Sequence, residues 1–357
     1  MPDIYTESTE LKALSAREAH YLSSAWLPFQ PNSGMLQLQF KPYSRTFTRP
    51  WVLRGKPWKK REGFVLRLDS GNGPAGWGEV APLPAFGTET VEEAREVLGA
   101  FSKSLDASLL KGFPCVQFGL SSALASQQDV FPGERTLDVA AFLPQGAEAL
   151  EALRHGVAGG FQTFKWKVGS LDSETMGLFG EIIKRLPEGG KLRLDANGLL
   201  TKDEAHAWLE LCEGAPVEFF EQPLSVLEHM QTLAESYSTP LALDESATTL
   251  AQCKEAISQG WKGDFVIKPS TIGDWGAFCA WHATVPGRCV YSTAFETAVG
   301  ATAGLRLAAL DLGGRAVGYG ALCGMPQDGL GLPAFGPQIS VAGRVDQEKM
   351  EVLWNAL

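Results

Sequence analysis

No apolar run in the sequence approaches the roughly 20 residues that a membrane-spanning helix needs, so a helical membrane protein is not expected. Basic residues are in deficit: 31 Lys and Arg stand against 41 Asp and Glu, a net charge of −10. Nucleic acids and anionic membrane surfaces reward clustered cations, so neither is expected as a partner. A small anionic substrate is still compatible, because its pocket can be locally basic. Cysteine is sparse and dispersed. Cys115, Cys212, Cys253, Cys279, Cys289 and Cys323 form no C-x-x-C pair, and no His stands at zinc-finger spacing. That pattern argues against a disulfide framework or a structural zinc site and for reduced thiols. The first residues lack a basic start followed by an apolar core, so no secretory leader is expected and the cytoplasm is the expected location.

What is present is ordinary globular material. At 45% hydrophobic and 20% charged residues, the 357-residue chain can form one large barrel with a smaller partner, or two to three average domains. Three zones divide it. Residues 1–34 form an extension of mixed character. From Met35 the run Leu36–Phe40 alternates in polarity, Phe64–Leu68 and Gly76–Val80 follow around a turn at Ser70–Gly73, and Val91–Leu105 has helical spacing. Residues 35–135 therefore read as an α+β unit, to which the tail, about 330–357, is expected to return.

Residues 136–329 follow another grammar. Short apolar runs alternate with amphipathic stretches, as βα units do around a parallel sheet. Strands are expected at Asp138–Leu143, Thr163–Val168, Lys191–Asp195, Val217–Glu221, Leu241–Asp244, Phe265–Lys268, Cys289–Ser292 and, weakly, Ala316–Tyr319. A doubly wound sheet would usually carry a Gly-rich phosphate turn after its first strand, and Leu143-Pro144-Gln145-Gly146 is not one. A barrel is the better fit.

The strand ends carry the chemistry. Lys167, Asp195, Glu221, Asp244 and Lys268 succeed one another at intervals of 28, 26, 23 and 24 residues, about one βα unit each. Each then occupies an equivalent place on the C-terminal rim, where barrel active sites form. Three adjacent carboxylates facing one point would repel one another without a cation, and hard oxygen donors suit Mg²⁺. Lys165 and Lys167, two apart on a strand, point to one face. A lysine crowded by a second cation and a metal ion loses its proton more readily and can act as a base. Each piece alone has a plainer reading, such as a turn at Asp195-Ala196-Asn197-Gly198 or a helix cap at Asp244. Those readings leave the regular spacing of five charged strand ends unexplained.

Lys165-Trp166-Lys167, Arg193-Leu194-Asp195-Ala196-Asn197-Gly198, Phe220-Glu221-Gln222-Pro223-Leu224, Leu243-Asp244-Glu245-Ser246 and Ile267-Lys268-Pro269 resemble the motifs of the enolase superfamily, in its muconate-lactonizing-enzyme branch. The resemblance runs from about Met35 to the end and leaves residues 1–34 unmatched. It implies an α/β fold, a modified TIM barrel (β/α)7β with an α+β capping domain. Arg61-Glu62-Gly63, Gly76–Pro84, Phe86–Thr90, Arg193 and Tyr291–Thr297 with Gly300 resemble the o-succinylbenzoate synthase family in particular. That implies a syn dehydration of 2-succinyl-6-hydroxy-2,4-cyclohexadiene-1-carboxylate in quinone biosynthesis. By the same resemblance Asp195, Glu221 and Asp244 bind Mg²⁺, with Mn²⁺ as substitute. Lys167 removes the α-proton and protonates the departing hydroxyl, Lys268 stabilises the enediolate, Lys165 tunes its neighbour and Arg193 joins the catalytic set. Ser292, Thr293, Phe86 and Thr88 are expected to touch a small carboxylate substrate, with Trp77 and the Pro82–Thr90 loop over the barrel mouth. Two competitors stand beside this reading: a racemase or epimerase of N-succinylamino acids or dipeptides, and an inactive barrel used as a scaffold. The first is weakened by the lack of an Asp-x-Asp around Ala316–Cys323, the second by the intact charged set. No oligomeric state follows from the sequence.

Overall fold

The computed structural model describes residues 36–53, 55–71, 73–128, 133–311 and 313–357, so the expectations for residues 1–34 and for Met35 lie outside the described part. An antiparallel sheet forms from β1 (Gln37–Leu53), which alternates in exposure over much of its length, β2 (Lys56–Asp69), with an apolar run at Phe64–Leu66, and β3 (Gly76–Val80), buried throughout. The short strands read from the sequence are the inner ends of much longer ones: β1 has 17 residues and β2 has 14. Their register shifts between Thr46 and Trp51, an irregularity of the kind that bends a hairpin arm.

Two helices back this sheet. Val91–Ser104 starts at a capping box in which Thr90 and Glu93 exchange side-chain and backbone bonds. Pro114–Gln128, absent from the sequence reading, packs so tightly on β3 that a Cβ at Gly78 would lie 2.0 Å from the Gly119 carbonyl oxygen. The C-terminal helix Gln347–Ala356 also docks here: its Trp354 ring lies 6.0 Å from that of Trp77, and Glu351 pairs with Arg67 at 3.0 Å.

Trp77 is a correction. Its indole N–H donates to Gln347 Oε1 at 2.8 Å, so the C-terminal helix holds it in a cluster with Val299 at the seam between cap and barrel, outside the lining of the barrel mouth. A buried indole needs an acceptor, and the returning helix supplies it.

β4 (Arg135–Asp138) pairs antiparallel with β12 (Gln338–Val341) outside the barrel, splitting the expected strand Asp138–Leu143 at Val139. The parallel sheet runs in chain order through β5 (Ala140–Leu143), β6 (Thr163–Lys167), β7 (Lys191–Asp195), β8 (Val217–Glu221), β9 (Leu241–Leu243), β10 (Asp264–Ile267) and β11 (Cys289–Tyr291). Val317 bridges Val139 and Gly318 bridges Ser292, both in parallel sense. The segment Ala316–Tyr319 thus closes the ring as an eighth strand of single bridges. Outer helices begin where the sequence offers caps, as at Thr201 with Glu204 and Thr249 with Gln252. Between strands and helices the shell is filled by rings such as Trp166, Phe179, Trp208 and Phe220. Among the described residues no helix is long and apolar enough to cross a membrane, and the six cysteines are unbridged.

The Gly78 contact leads to a stability test. Gly78→Ala forces backbone apart where a methyl has no room, and overpacking of this kind costs about 1–3 kcal/mol. Urea unfolding should show a lower midpoint with an unchanged slope; a midpoint equal to that of the parent would contradict the close approach.

Candidate active site

Sheet register assembles the charged residues. Lys167 stands opposite Asp195, Asp195 opposite Glu221 and Glu221 opposite Ala242. Asp244 and Lys268, each one residue beyond β9 and β10, continue the row around the rim. Because strand side chains alternate, Lys165, Lys167, Arg193, Asp195 and Glu221 all face the barrel interior. The row is buried: Asp195 is 0% exposed, Glu221 1%, Asp244 3% and Lys268 9%.

Lys165 Nζ lies 2.8 Å from Asp195 Oδ2 and 2.6 Å from Glu221 Oε2. Lys167 Nζ donates to Asp195 Oδ2 at 2.6 Å and to Asn197 Oδ1 at 2.8 Å. Asn197 in turn donates from Nδ2 to Glu245 Oε1 at 2.9 Å, and Lys268 pairs with Asp244. Burial alone would raise the Asp195 pKa, but Lys165 and Lys167 outweigh it and hold the group far below the carboxylate range. Glu221 moves the opposite way, raised by burial and by its neighbour Asp195 despite Lys165. Glu245 is pushed up to about 7 by burial, Asp244 and Asp195. Burial opposes the charge on Lys165 and Lys268, yet Asp195 and Glu221 raise the first and Asp244 and Glu245 the second.

These shifts have one origin: four buried carboxylates, Asp195, Glu221, Asp244 and Glu245, share the three ammonium groups of Lys165, Lys167 and Lys268. Glu221 Oε2 is buried without a well-directed donor, in ion contact with Lys165 alone. Among the described residues no three His, Cys, Asp or Glu side chains form a ready metal cage, since Asp195, Glu221 and Asp244 are each turned to a lysine. The Lys165 ammonium therefore stands where a cation would, and three hard oxygen donors short of positive charge fit a divalent ion of the Mg²⁺ type.

Lys165, Lys167, Asp195, Asp244 and Lys268 form the floor of a cavity, with Glu221 packed among them just below its surface. Its walls include Phe86, Ser292 and Thr293, and the Phe86 ring lies 4.9 Å from Lys268 Nζ. Thr88 does not line it. Its hydroxyl accepts from Leu83 N at 2.7 Å and donates to the Glu89 carbonyl at 3.2 Å, folding the loop that carries Phe86. Arg193 also differs from expectation. It is 1% exposed, below the cavity, with Nε donating to Glu218 Oε2 at 2.6 Å and Nη1 to the Ala316 carbonyl at 2.8 Å. Standing two residues before the strand end, it faces inward one layer too deep to reach a substrate.

Sequence reasoning missed the aromatic wall. Trp51 and Trp58, from the far end of the β1–β2 hairpin, join Phe142 and Phe295 around the cavity. The available signal was a pair of tryptophans flanking Gly55 between the two recognised strand segments. Asn197 was inside a quoted motif, but its contact to Lys167 needs the left-handed backbone, φ 51°, seen only in the fold.

Comparison with known proteins agrees with this geometry. Residues 147–309 match the model of the enolase C-terminal domain-like family, and residues 35–127 that of the MenC N-terminal domain. The chain is 32% identical over 280 residues to the o-succinylbenzoate synthase of Thermosynechococcus vestitus, covering 75% of this chain and 87% of that protein. It is 30% identical over 270 residues to the enzyme of that name from Photorhabdus laumondii, covering 72% and 81%. Among solved structures, o-succinylbenzoate synthase from Thermosynechococcus elongatus BP-1, complexed with Mg in the active site, superposes with a TM-score of 0.79 at 29% identity, over 90% of this chain and 100% of that one. The L-Ala-D/L-Glu epimerase from Bacillus subtilis shares the fold, with a TM-score of 0.74 at 23% identity over 88% and 98%. Fold and site together define the class, the enolase superfamily. Within it, the chain belongs to the o-succinylbenzoate synthase family.

Arg193 gives a test of the layer beneath the cavity. Arg193→Ala leaves the largely buried Glu218 with Arg315 alone, and breaking a pair with one fully buried partner should lower stability by about 3 kcal/mol. Chemical denaturation measures it, and a variant as stable as the parent would contradict the pairing.

Proposed function

We propose that the chain is a hydro-lyase that converts 2-succinyl-6-hydroxy-2,4-cyclohexadiene-1-carboxylate to o-succinylbenzoate by syn dehydration, acting in the cytoplasm. The observation that carries this reading is the buried row of Asp195, Glu221 and Asp244 between Lys167 and Lys268 beneath an aromatic cavity. Family membership agrees with it. Residues 35–135 with the return 330–357 act as the capping unit, and 136–329 as the catalytic barrel.

Asp195, Glu221 and Asp244 would hold Mg²⁺, with Mn²⁺ a workable substitute. When bound, the ion supplies a Lewis acid for the substrate carboxylate and offsets charge developing there. Lys167, on the β6 side of the floor, takes the proton from the carbon next to that carboxylate. Lys268, four strands away, stabilises the resulting enediolate by charge. The C–O bond then breaks, Lys167 returns its proton to the leaving hydroxyl on the same face, water departs and the ring becomes aromatic. Asn197 holds Lys167 in place between the two steps, and Lys165 balances Asp195 and Glu221. Phe86, Phe142, Phe295, Trp51 and Trp58 keep bulk water from the reacting carbons.

The test is incubation of the protein and Mg²⁺ with the cyclohexadiene substrate, following aromatisation in the ultraviolet. Lys167→Ala should abolish turnover, and Lys167→Arg should do no better, because a guanidinium stays protonated. Lys268→Arg should keep measurable activity, while Lys268→Ala should lose roughly 10²–10³-fold. Wild-type turnover in Lys167→Ala would overturn the assignment. Proton exchange at the α-carbon through both lysines, without dehydration, would point to the racemase instead.

A further inference from the structure

Glu79 ends the motif Gly76-Trp77-Gly78-Glu79 on β3 of the capping sheet, lies outside the cavity lining and is 0% exposed. Its carboxylate crosses from the cap to the barrel. Oε1 accepts from Tyr43 Oη at 2.5 Å and from Thr297 N at 3.0 Å. Oε2 accepts from Thr297 Oγ1 at 2.5 Å and from Gly300 N at 2.8 Å. Thr297 and Gly300 open the barrel helix Ala298–Ala308, so the Glu79 carboxyl group meets free N–H groups at a helix N-terminus. Gly300 makes room for it: a Cβ there would lie 2.8 Å from Glu79 Oε2.

Just before this point the chain forms one wall of the cavity. Thr293, Ala294 and Phe295 line it, and Phe295 sits at φ 63°, a costly conformation for an aromatic residue. A second buried carboxylate, Glu296, holds the wall from behind by accepting from Thr293 Oγ1 at 2.6 Å, Ala294 N at 3.0 Å and Ser270 Oγ at 2.7 Å. Glu296 fixes the wall to the barrel; Glu79 fixes its far end to the cap. The Phe295 ring then meets Trp51 at 4.8 Å and Trp58 at 5.6 Å, both from the cap's hairpin arm.

We infer that Glu79 is a positioning residue for the dehydration, setting the Thr293–Phe295 wall and thereby substrate affinity without touching substrate. The inference rests on the proposed dehydratase reading for its kinetic arm. Removing the carboxylate frees the wall while the charged floor stays intact, so binding suffers and the chemical step does not.

Glu79→Ala, Glu79→Gln and Tyr43→Phe are compared with the parent in steady-state kinetics and in amide hydrogen exchange of residues 293–300 against helix Lys202–Cys212. Glu79→Ala should raise KM roughly tenfold with kcat within about threefold. Its exchange should accelerate in 293–300 and not in the reference helix. Glu79→Gln should fall between, since its oxygen can keep Gly300 N while its amide donates to the Tyr43 hydroxyl. Tyr43→Phe, which removes one donor, should raise KM by about threefold. If Glu79→Ala does not fold, the two milder variants decide. Parental KM in the folded variants, or exchange accelerated equally in both segments, overturns the inference. If the parent itself shows no dehydration, the functional reading falls, and the exchange comparison alone decides whether Glu79 holds the wall.

Discussion

Four carboxylates at the mouth of the barrel share three ammonium groups, and much of the molecule is arranged around that shortfall. One layer deeper the account balances. Arg193 and Arg315 face Glu218 and Asp264, two charges of each sign, with Glu218 bridging both guanidiniums and Asp264 on Arg315. A largely buried layer that is neutral by internal pairing has a structural role. A buried layer lacking positive charge is stable only with a cation or with protons, which explains why Asp195 and Glu221, side by side on paired strands, shift in opposite directions. The row is poised for an ion it does not itself supply.

The cap gives that floor its surroundings. The β1–β2 hairpin reaches past its own sheet to place Trp51 and Trp58 beside Phe142 and Phe295 of the barrel. Aromatic walls keep the local dielectric low, where the charges of Lys167 and Lys268 reach further than they would in water. Cap and barrel are coupled by buried polar contacts as well: Glu79 to Thr297 and Gly300, and Arg45 to the Glu296 carbonyl and Asp328. The shape of the cavity is therefore a joint property of two units that contribute different things, charge from one and enclosure from the other.

The floor was legible in the sequence because it obeys a period. Asp195, Glu221, Asp244 and Lys268 stand at or one residue past the ends of successive strands, and one βα unit per interval fixes their places on the rim. The walls obey no such period. The hairpin arm extends strands whose inner ends carry the apolar pattern and whose outer ends, rich in Lys, Arg and Pro, do not, so Trp51 and Trp58 carried no assignment. Arg193 was misplaced because distance along a strand sets depth in the barrel, and depth decides whether a side chain meets substrate or another charge. Thr88 and Trp77 sit in stretches that resemble the family, but their polar atoms are used by Leu83, Glu89 and Gln347, which lie within a turn in one case and 270 residues away in the other. Helix Pro114–Gln128 escaped notice because it is apolar over much of its surface and so lacks the one-sided pattern of an exposed helix.

The central claim is that Asp195, Glu221 and Asp244 gather one divalent ion at the point where Lys165 now stands. A crystal grown with Mn²⁺ and measured at a wavelength giving anomalous signal locates that ion directly. A single strong peak is expected in contact with oxygens of all three carboxylates, with the Lys165 ammonium withdrawn from between Asp195 and Glu221. A peak elsewhere, or one touching fewer than three of these side chains, would contradict it.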